Sequence, residues 1–149
     1  MTRTLFENFD LATAPGHLLR RCHQRSHELY NEVTAGFGLT RQQLAFLVSL
    51  LQNPGASVQE LADLTGTDRN TLGGIVTRLA KKKLVNQRRS NRDARAYELS
   101  ITEAGMDLLT EMEPGIAMVQ EMILEPLDEE ERAMFIRAAQ KLLGLKQSD

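Results

Sequence analysis

The sequence predicts a mainly α-helical chain with one small β-hairpin. Three observations carry that reading. Apolar residues recur at helical spacing over most of the chain. Ser, Thr or Asp followed three positions later by Glu or Gln marks repeated helix starts. The single stretch of period-two alternation, Tyr97-Glu98-Leu99-Ser100-Ile101, lies beyond a polar, arginine-rich tip. With 149 residues and 42% apolar content, the chain can bury one core and is short for two independent domains.

The elements follow in order. Leu11, Leu18, Cys22, Leu29 and Val33 recur at steps of seven and four, which predicts one long helix from Leu11 to about Ala35. Its apolar stripe is narrow and the rest is polar, the pattern of a seam against another helix, including one from a second subunit. Gly36 and Gly38 allow a turn, and Thr40 with Gln43 forms a capping box for a helix carrying Leu44, Leu47, Val48 and Leu51, stopped by Asn53-Pro54-Gly55. Ser57 with Glu60 opens a short helix that buries Val58, Leu61 and Ala62 and ends near Gly66. Thr67 or Asp68 caps the next, with Leu72, Ile75, Val76 and Leu79 inward and Arg69, Asn70, Thr71, Gly74, Thr77 and Arg78 outward.

Tyr97, Leu99 and Ile101 then form the buried face of a strand whose partner is Leu84-Val85-Asn86-Gln87-Arg88, with Ser90, Asn91 and Asp93 as turn formers at the tip. Thr102 caps a helix through Met106, Leu109, Met112, Ile116, Val119 and Ile123, with a bend expected at Pro114-Gly115. Asp128 with Glu131 starts the last helix, striped by Phe135, Ala138, Leu142 and Leu145.

Composition excludes several classes. No apolar run approaches the roughly 20 residues that span a bilayer, and the first residues lack the apolar segment of a signal peptide, so a soluble cytoplasmic protein is expected. Cys22 is the only cysteine, which allows no internal disulfide and no cysteine zinc cluster. No nucleophile motif, phosphate-cradling glycine loop or readable carboxylate pair points to an enzyme, and no cofactor is implied; Glu129 to Glu131 are acids at a helix start.

Charge is unevenly spread. Residues 69–95 hold nine basic side chains against one acid, a net of +8, which leaves −10 on the rest of a chain whose net charge is −2. A solvated basic helix face would also produce such a run. The order of elements favours another explanation: two short helices, a tight turn and then a basic hairpin form a winged helix-turn-helix. A helix with short polar side chains can enter the roughly 12 Å wide major groove, and a thin arginine-tipped hairpin can reach the narrower minor groove. Arg69 and Asn70 are residue types that read guanine and adenine, whereas Thr67, Thr71 and Thr77 can meet phosphate or a thymine methyl. Arg78 and Lys81 to Lys83 supply mostly sequence-independent affinity. Arg88 and Arg89, adjacent on a strand, point to opposite faces, so one is expected to meet DNA and the other to pack or pair.

The run Asp93-x-Arg95 followed by Ile101-Thr102-x-x-Gly105 resembles the D-x-R … L-T-x-x-G signature of the MarR (multiple antibiotic resistance regulator) family, with Ile101 in place of the usual leucine. The resemblance covers essentially the whole chain. It implies one MarR-type domain over residues 1–149, with dimerisation helices at about 11–36 and 103–146 around a DNA-binding lobe at 40–102. It implies a homodimeric regulator, usually a repressor, bound to a pseudopalindromic duplex operator. Arg95 is then the wing residue expected in the minor groove and Asp93 the acid that holds an arginine in place; Arg92, in the same basic tip, is a further DNA-binding candidate. Thr102 and Gly105 read as structural, a helix cap and a close approach to the hairpin.

The resemblance further implies a small-molecule or redox input, with family ligands bordered by the first helix. That helix carries His17, Arg20, Arg21, His23, Arg25 and Tyr30, a set that fits an anionic effector. Pro15-Gly16-His17-Leu18-Leu19-Arg20-Arg21 is similar to the branch that answers aromatic carboxylates or their coenzyme A thioesters. Three alternatives stay open: those residues as a solvated or pairing helix face, thiol sensing through Cys22, and a winged-helix protein-interaction adaptor. Cys22 lies on the apolar stripe, where a thiol is expected to be buried and unreactive. His23 and His27 at i and i+4 could supply two metal ligands but leave a third to be found, so no metal site is assigned.

Overall fold

A computed structural model of the chain describes residues 5–91 and 97–146. Two short 3-10 turns, Leu5–Asn8 and Leu11–Thr13, precede α1 (Pro15–Thr34), α2 (Arg41–Gln52), α3 (Val58–Thr65) and α4 (Arg69–Lys81). An antiparallel hairpin, β1 (Val85–Arg89) and β2 (Tyr97–Ile101), leads to α5 (Glu103–Leu124) and α6 (Glu129–Leu142). The chain divides into two compact units, Met1–Val33 with Ile116–Asp149, and Thr34–Gly115.

In the second unit, α2, α3, α4 and the hairpin pack on one another. Phe46, Leu47, Leu61, Leu72 and Leu79 are fully buried there, each contributing roughly 1.5–3 kcal/mol of apolar burial. The expected capping boxes at Thr40/Gln43 and Ser57/Glu60 both form, and Gly66 ends α3 with φ 65°. Asp68, one of the two expected caps, accepts from the Thr71 backbone N–H at 2.9 Å. All four residues expected on the inner face of α4 are buried.

Hairpin register pairs Gln87 with Leu99, Arg88 with Glu98 and Arg89 with Tyr97. Leu99 is buried and Ile101 half-buried as expected, but Tyr97, at the outer end of the same face, is exposed because the core does not extend that far. The base of the hairpin is fastened by the motif residues. Thr102 Oγ1 donates to the Lys83 carbonyl at 2.7 Å and accepts from Gly105 N–H at 3.0 Å, while Thr102 N–H donates to the Leu84 carbonyl at 3.1 Å. A Cβ on Gly105 would lie 2.5 Å from the Leu84 oxygen, so the close approach requires glycine there.

One boundary and one face differ from the sequence reading. The first helix begins at Pro15, not Leu11: a residue before proline disfavours helical backbone, and Ala14 is extended at ψ 115° after a short turn capped by Asp10. The inner face of α2 is Gln43, Phe46, Leu47 and Leu50, whereas Leu51 is exposed and Leu44 and Val48 are half-buried. The run Leu44 to Leu51 is apolar nearly throughout, and a helix that is apolar nearly all round does not announce which side turns inward. Helix α5 runs through Pro114, and the division between the units falls within it, between Gly115 and Ile116.

The first unit buries Ala14, Tyr30 and Val119. Nothing on α6 is buried, and Met134, Phe135, Ile136, Leu142, Leu143 and Leu145 are exposed, as are Leu18 and Leu19 on α1. No described helix is long and apolar enough to cross a membrane.

Candidate nucleic-acid interface

The second unit assembles most of the basic run on two elements. Arg69, Asn70, Thr71, Thr77, Arg78 and Lys81 are exposed on α4, and Thr67 is half-buried in the turn before it. Helical spacing places Asn70, Thr77 and Lys81 along the outermost ridge, opposite Leu72, Ile75, Val76 and Leu79. The exposed ends of Arg88 and Arg89 project from β1. Arg92, Asp93 and Arg95 lie outside the described residues.

Hydrogen bonding sorts this set further. Thr71 Oγ1 donates to Asp68 Oδ2 at 2.6 Å, so its hydroxyl proton is committed to the helix cap. Thr77 Oγ1 donates to the Gly73 carbonyl at 2.9 Å. Both threonines can still accept a bond and present a methyl group. Lys82 Nζ donates to the Gly38 carbonyl, which ties the end of α4 to the turn before α2. One lysine of the three is therefore structural, a division that the sequence run Lys81-Lys82-Lys83 does not disclose. Arg88 faces Glu98 at 3.7 Å, and Glu98 also accepts from Ser90 Oγ at 3.5 Å. Of the two adjacent arginines, Arg88 is the one that pairs.

The α4 cap has its own electrostatics. The Thr71 hydroxyl, followed by the backbone N–H groups of Thr71 and Asn70, holds the Asp68 carboxyl below the usual carboxylate range. A shallow depression beside it is lined by Arg41, Gln42, Thr67, Asp68 and Thr71, where the starts of α2 and α4 meet. Arg41 and Gln42 escaped the sequence reading. Their place at a helix N-terminus beside the recognition turn was the available signal.

The first-helix residues do not form one cluster. Arg20, His23, His27 and Tyr30 fall on one side of α1 by spacing, and His17, Arg21 and Glu28 on another. Tyr30 is buried, His17 half-buried, and Arg20, Arg21 and His23 exposed. The Arg25 guanidinium donates to the Ile123 and Met122 carbonyls at 2.7 and 2.8 Å, closing the C-terminal end of α5. Cys22, expected to be a buried member of the stripe, is exposed. A single chain leaves the narrow seam of α1 open, so stripe membership there does not bring burial. The His23 and His27 rings stack with centroids 6.2 Å apart, and among the described residues no group of three His, Cys, Asp or Glu is placed to hold a metal.

Two short helices joined at Gly66, the second with a polar and cationic outer face, followed by an antiparallel hairpin and flanked by long helices, define a winged helix-turn-helix protein. The MarR family model matches residues 37–96, from the turn before α2 to the start of β2. The HTH-type transcriptional repressor NicR of Pseudomonas putida is 30% identical over 135 residues, covering 91% of this chain and 85% of NicR. The chain belongs to the MarR family. Among solved structures, PcaV, a transcriptional regulator of Streptomyces coelicolor in complex with its natural ligand, is 31% identical with a TM-score of 0.86, over 91% of this chain and 96% of PcaV. BpsR of Bordetella bronchiseptica, whose DNA binding is regulated by 6-hydroxynicotinic acid, is 25% identical with a TM-score of 0.87, over 93% and 99%.

Proposed function

We propose that the chain is a DNA-binding transcriptional regulator, a homodimeric repressor that leaves a pseudopalindromic operator when a small anionic aromatic effector, or its coenzyme A thioester, binds. The observation that carries the reading is the joint exposure of Arg69, Asn70, Arg78 and Lys81 on α4 with Arg89 on the hairpin of the same unit, in a chain that is acidic elsewhere. Cations in that number release counterions from a duplex, and an acidic remainder discourages indiscriminate binding. The named activities of NicR and BpsR support repression and an aromatic acid as the signal.

The dimer is proposed to form through the first unit and the rest of α5. Isolated, that unit leaves Phe135, Ile136, Leu142, Leu143 and Leu145 exposed, and apolar residues gathered at a surface mark partner contacts. Two α4 helices would then meet successive major-groove faces about one helical turn apart. Arg95 is proposed for the minor groove on the strength of the sequence signature, with Asp93 as brace and Arg92 as a further DNA contact.

For the effector we propose Arg20, His23 and Tyr30, which share one side of α1, as the contact set, and Arg25 as a support that fixes α5 rather than as a ligand contact. Release requires the ligand to bind the two dimer geometries with different affinity. The test is binding of the duplex upstream of its own coding sequence over a range of salt. The expected result is an affinity that falls steeply with salt, with Arg78→Ala weakening it and reducing the slope by about one. Salt-independent binding refutes the reading. A thermal-shift series of aromatic carboxylates and acyl-CoA thioesters, followed by release of DNA, tests the effector class.

A further inference from the structure

Two adjacent glycines, Gly73 and Gly74, stand in the interior of the 13-residue α4. Only proline is less favourable than glycine inside a helix, because glycine loses the most backbone freedom on folding. The usual internal reasons for keeping it are a positive φ or a crowded Cβ. Neither applies: both have ordinary negative φ, and a Cβ built on either meets nothing within 4 Å. Gly105 shows the contrast, with its Cβ position already filled by the Leu84 carbonyl. Alanine at 73 or 74 thus fits the chain's own packing and would strengthen the helix. Neither backbone conformation nor packing among the described residues requires glycine at these positions.

Position decides which glycine matters more. Gly74 is four residues after Asn70, three before Thr77 and seven before Lys81, so helical spacing puts it on the outward ridge with those exposed residues, although Gly74 itself is half-buried and Gly73 is exposed. Gly73 is turned to the side, and its carbonyl is taken by Thr77 Oγ1. An α-helix with side chains is roughly 10–12 Å across and the major groove roughly 12 Å wide, so the fit leaves little slack. A methyl at the crown of the ridge, on a bond of roughly 1.5 Å, is enough to take a hydrogen bond of about 2.9 Å out of range.

We infer that Gly74 is a specificity-determining residue: it leaves the α4 backbone bare at the crown of its outward ridge, so that base edges in the major groove come close enough for Asn70 and its neighbours to read. The inference rests on the DNA-binding reading above. It assigns to Gly74 the depth of entry, while the cations around it supply attraction that does not depend on sequence.

The test is Gly74→Ala in the full chain, with Gly73→Ala beside it. Each is measured by thermal unfolding and by binding to the upstream duplex and to an unrelated duplex of equal length over a range of salt. Both variants are expected to melt about 2–4 °C higher than the parent. Gly74→Ala is expected to lose at least about tenfold in affinity for the upstream duplex, with affinity for the unrelated duplex and the salt slope kept. Gly73→Ala is expected to lose less. Upstream binding by Gly74→Ala within about twofold of the parent, an equal loss on both duplexes, or a lower melting temperature overturns the inference. A parent that shows no salt-dependent preference for the upstream duplex overturns the DNA-binding reading itself, and the two failures are distinguished by that control.

Discussion

Replacing Gly105 with alanine puts a methyl carbon 2.5 Å from the Leu84 carbonyl oxygen and 2.8 Å from Ile101 Cγ2. The first neighbour is backbone and cannot rotate away, so either the start of α5 or the base of the hairpin has to move. Overpacking of this kind costs about 1–3 kcal/mol. The same carbonyl accepts the Thr102 N–H at 3.1 Å, and moving it endangers a bond contributing about 0.5–1.5 kcal/mol. Together the expected destabilisation is about 2–4 kcal/mol. With a urea dependence of about 1–3 kcal/mol/M for a chain of this size, the unfolding midpoint should fall by at least about 0.7 M at unchanged slope. Far-UV circular dichroism at one fixed protein concentration reads this, since a dimer's midpoint depends on concentration. Binding to the upstream duplex should weaken as well, because the hairpin is displaced at its root. A midpoint equal to the parent's would refute the reasoning, since it would mean that the Leu84 carbonyl yields without cost.

Three further outcomes are expected. Arg25→Ala removes the fork that closes α5 at Met122 and Ile123, and should cost about 1 kcal/mol in thermal unfolding; Arg25→Lys should recover only part, and a full recovery would show that charge rather than the fork matters. For Asp68, whose carboxyl the Thr71 hydroxyl holds below the usual range, the folded state favours the ionised form, so its contribution is complete above about pH 4 and is lost as pH falls through the lower folded value. Asp68→Asn should therefore melt below the parent at pH 7 and converge with it in acid, and a gap that does not change with pH would contradict this. Lys83 has φ 62°, the left-handed conformation that glycine adopts at lower cost; Lys83→Gly should raise stability by about 0.5–1 kcal/mol, and a lower melting temperature would show that the lysine side chain offsets its strain.

Elements set by neighbours in sequence were legible, and those set by distant or external contacts were less so. Thr40/Gln43, Ser57/Glu60 and Asp128/Glu131 announce helix starts because a capping box closes within four residues. Thr102 and Gly105 could be read as cap and close approach for the same reason, although which carbonyl fills the space at Gly105 comes from Leu84, some twenty residues back. The inward side of α2 could not be read, because Leu44 to Leu51 offers apolar residues to every direction. Pro15 disfavours helical backbone at Ala14, a local signal that the first helix begins at Pro15 and that the apolar spacing from Leu11 masks. The basic run marks α4 and the hairpin as a surface, yet it does not say which of Lys81 to Lys83 is structural or which of Arg88 and Arg89 pairs. Only the fold separates Lys82, bound to the Gly38 carbonyl, and Arg88, facing Glu98, from Arg78 and Lys81.

The least legible residues are those that the described residues leave exposed or without a packing reason. Cys22 and the stripe of α1, the apolar side of α6 and Gly74 on α4 all break an expectation that holds for a chain folded for itself: apolar residues turn inward, and helix interiors avoid glycine. Each departure becomes consistent once a second body is supplied, another subunit for the helices of the first unit and a duplex for α4. The exceptions to local folding preference therefore support the places proposed for the partners. They divide by chemistry, with unpaired apolar surface marking the proposed subunit contact and a missing side chain among cations marking the proposed nucleic-acid contact.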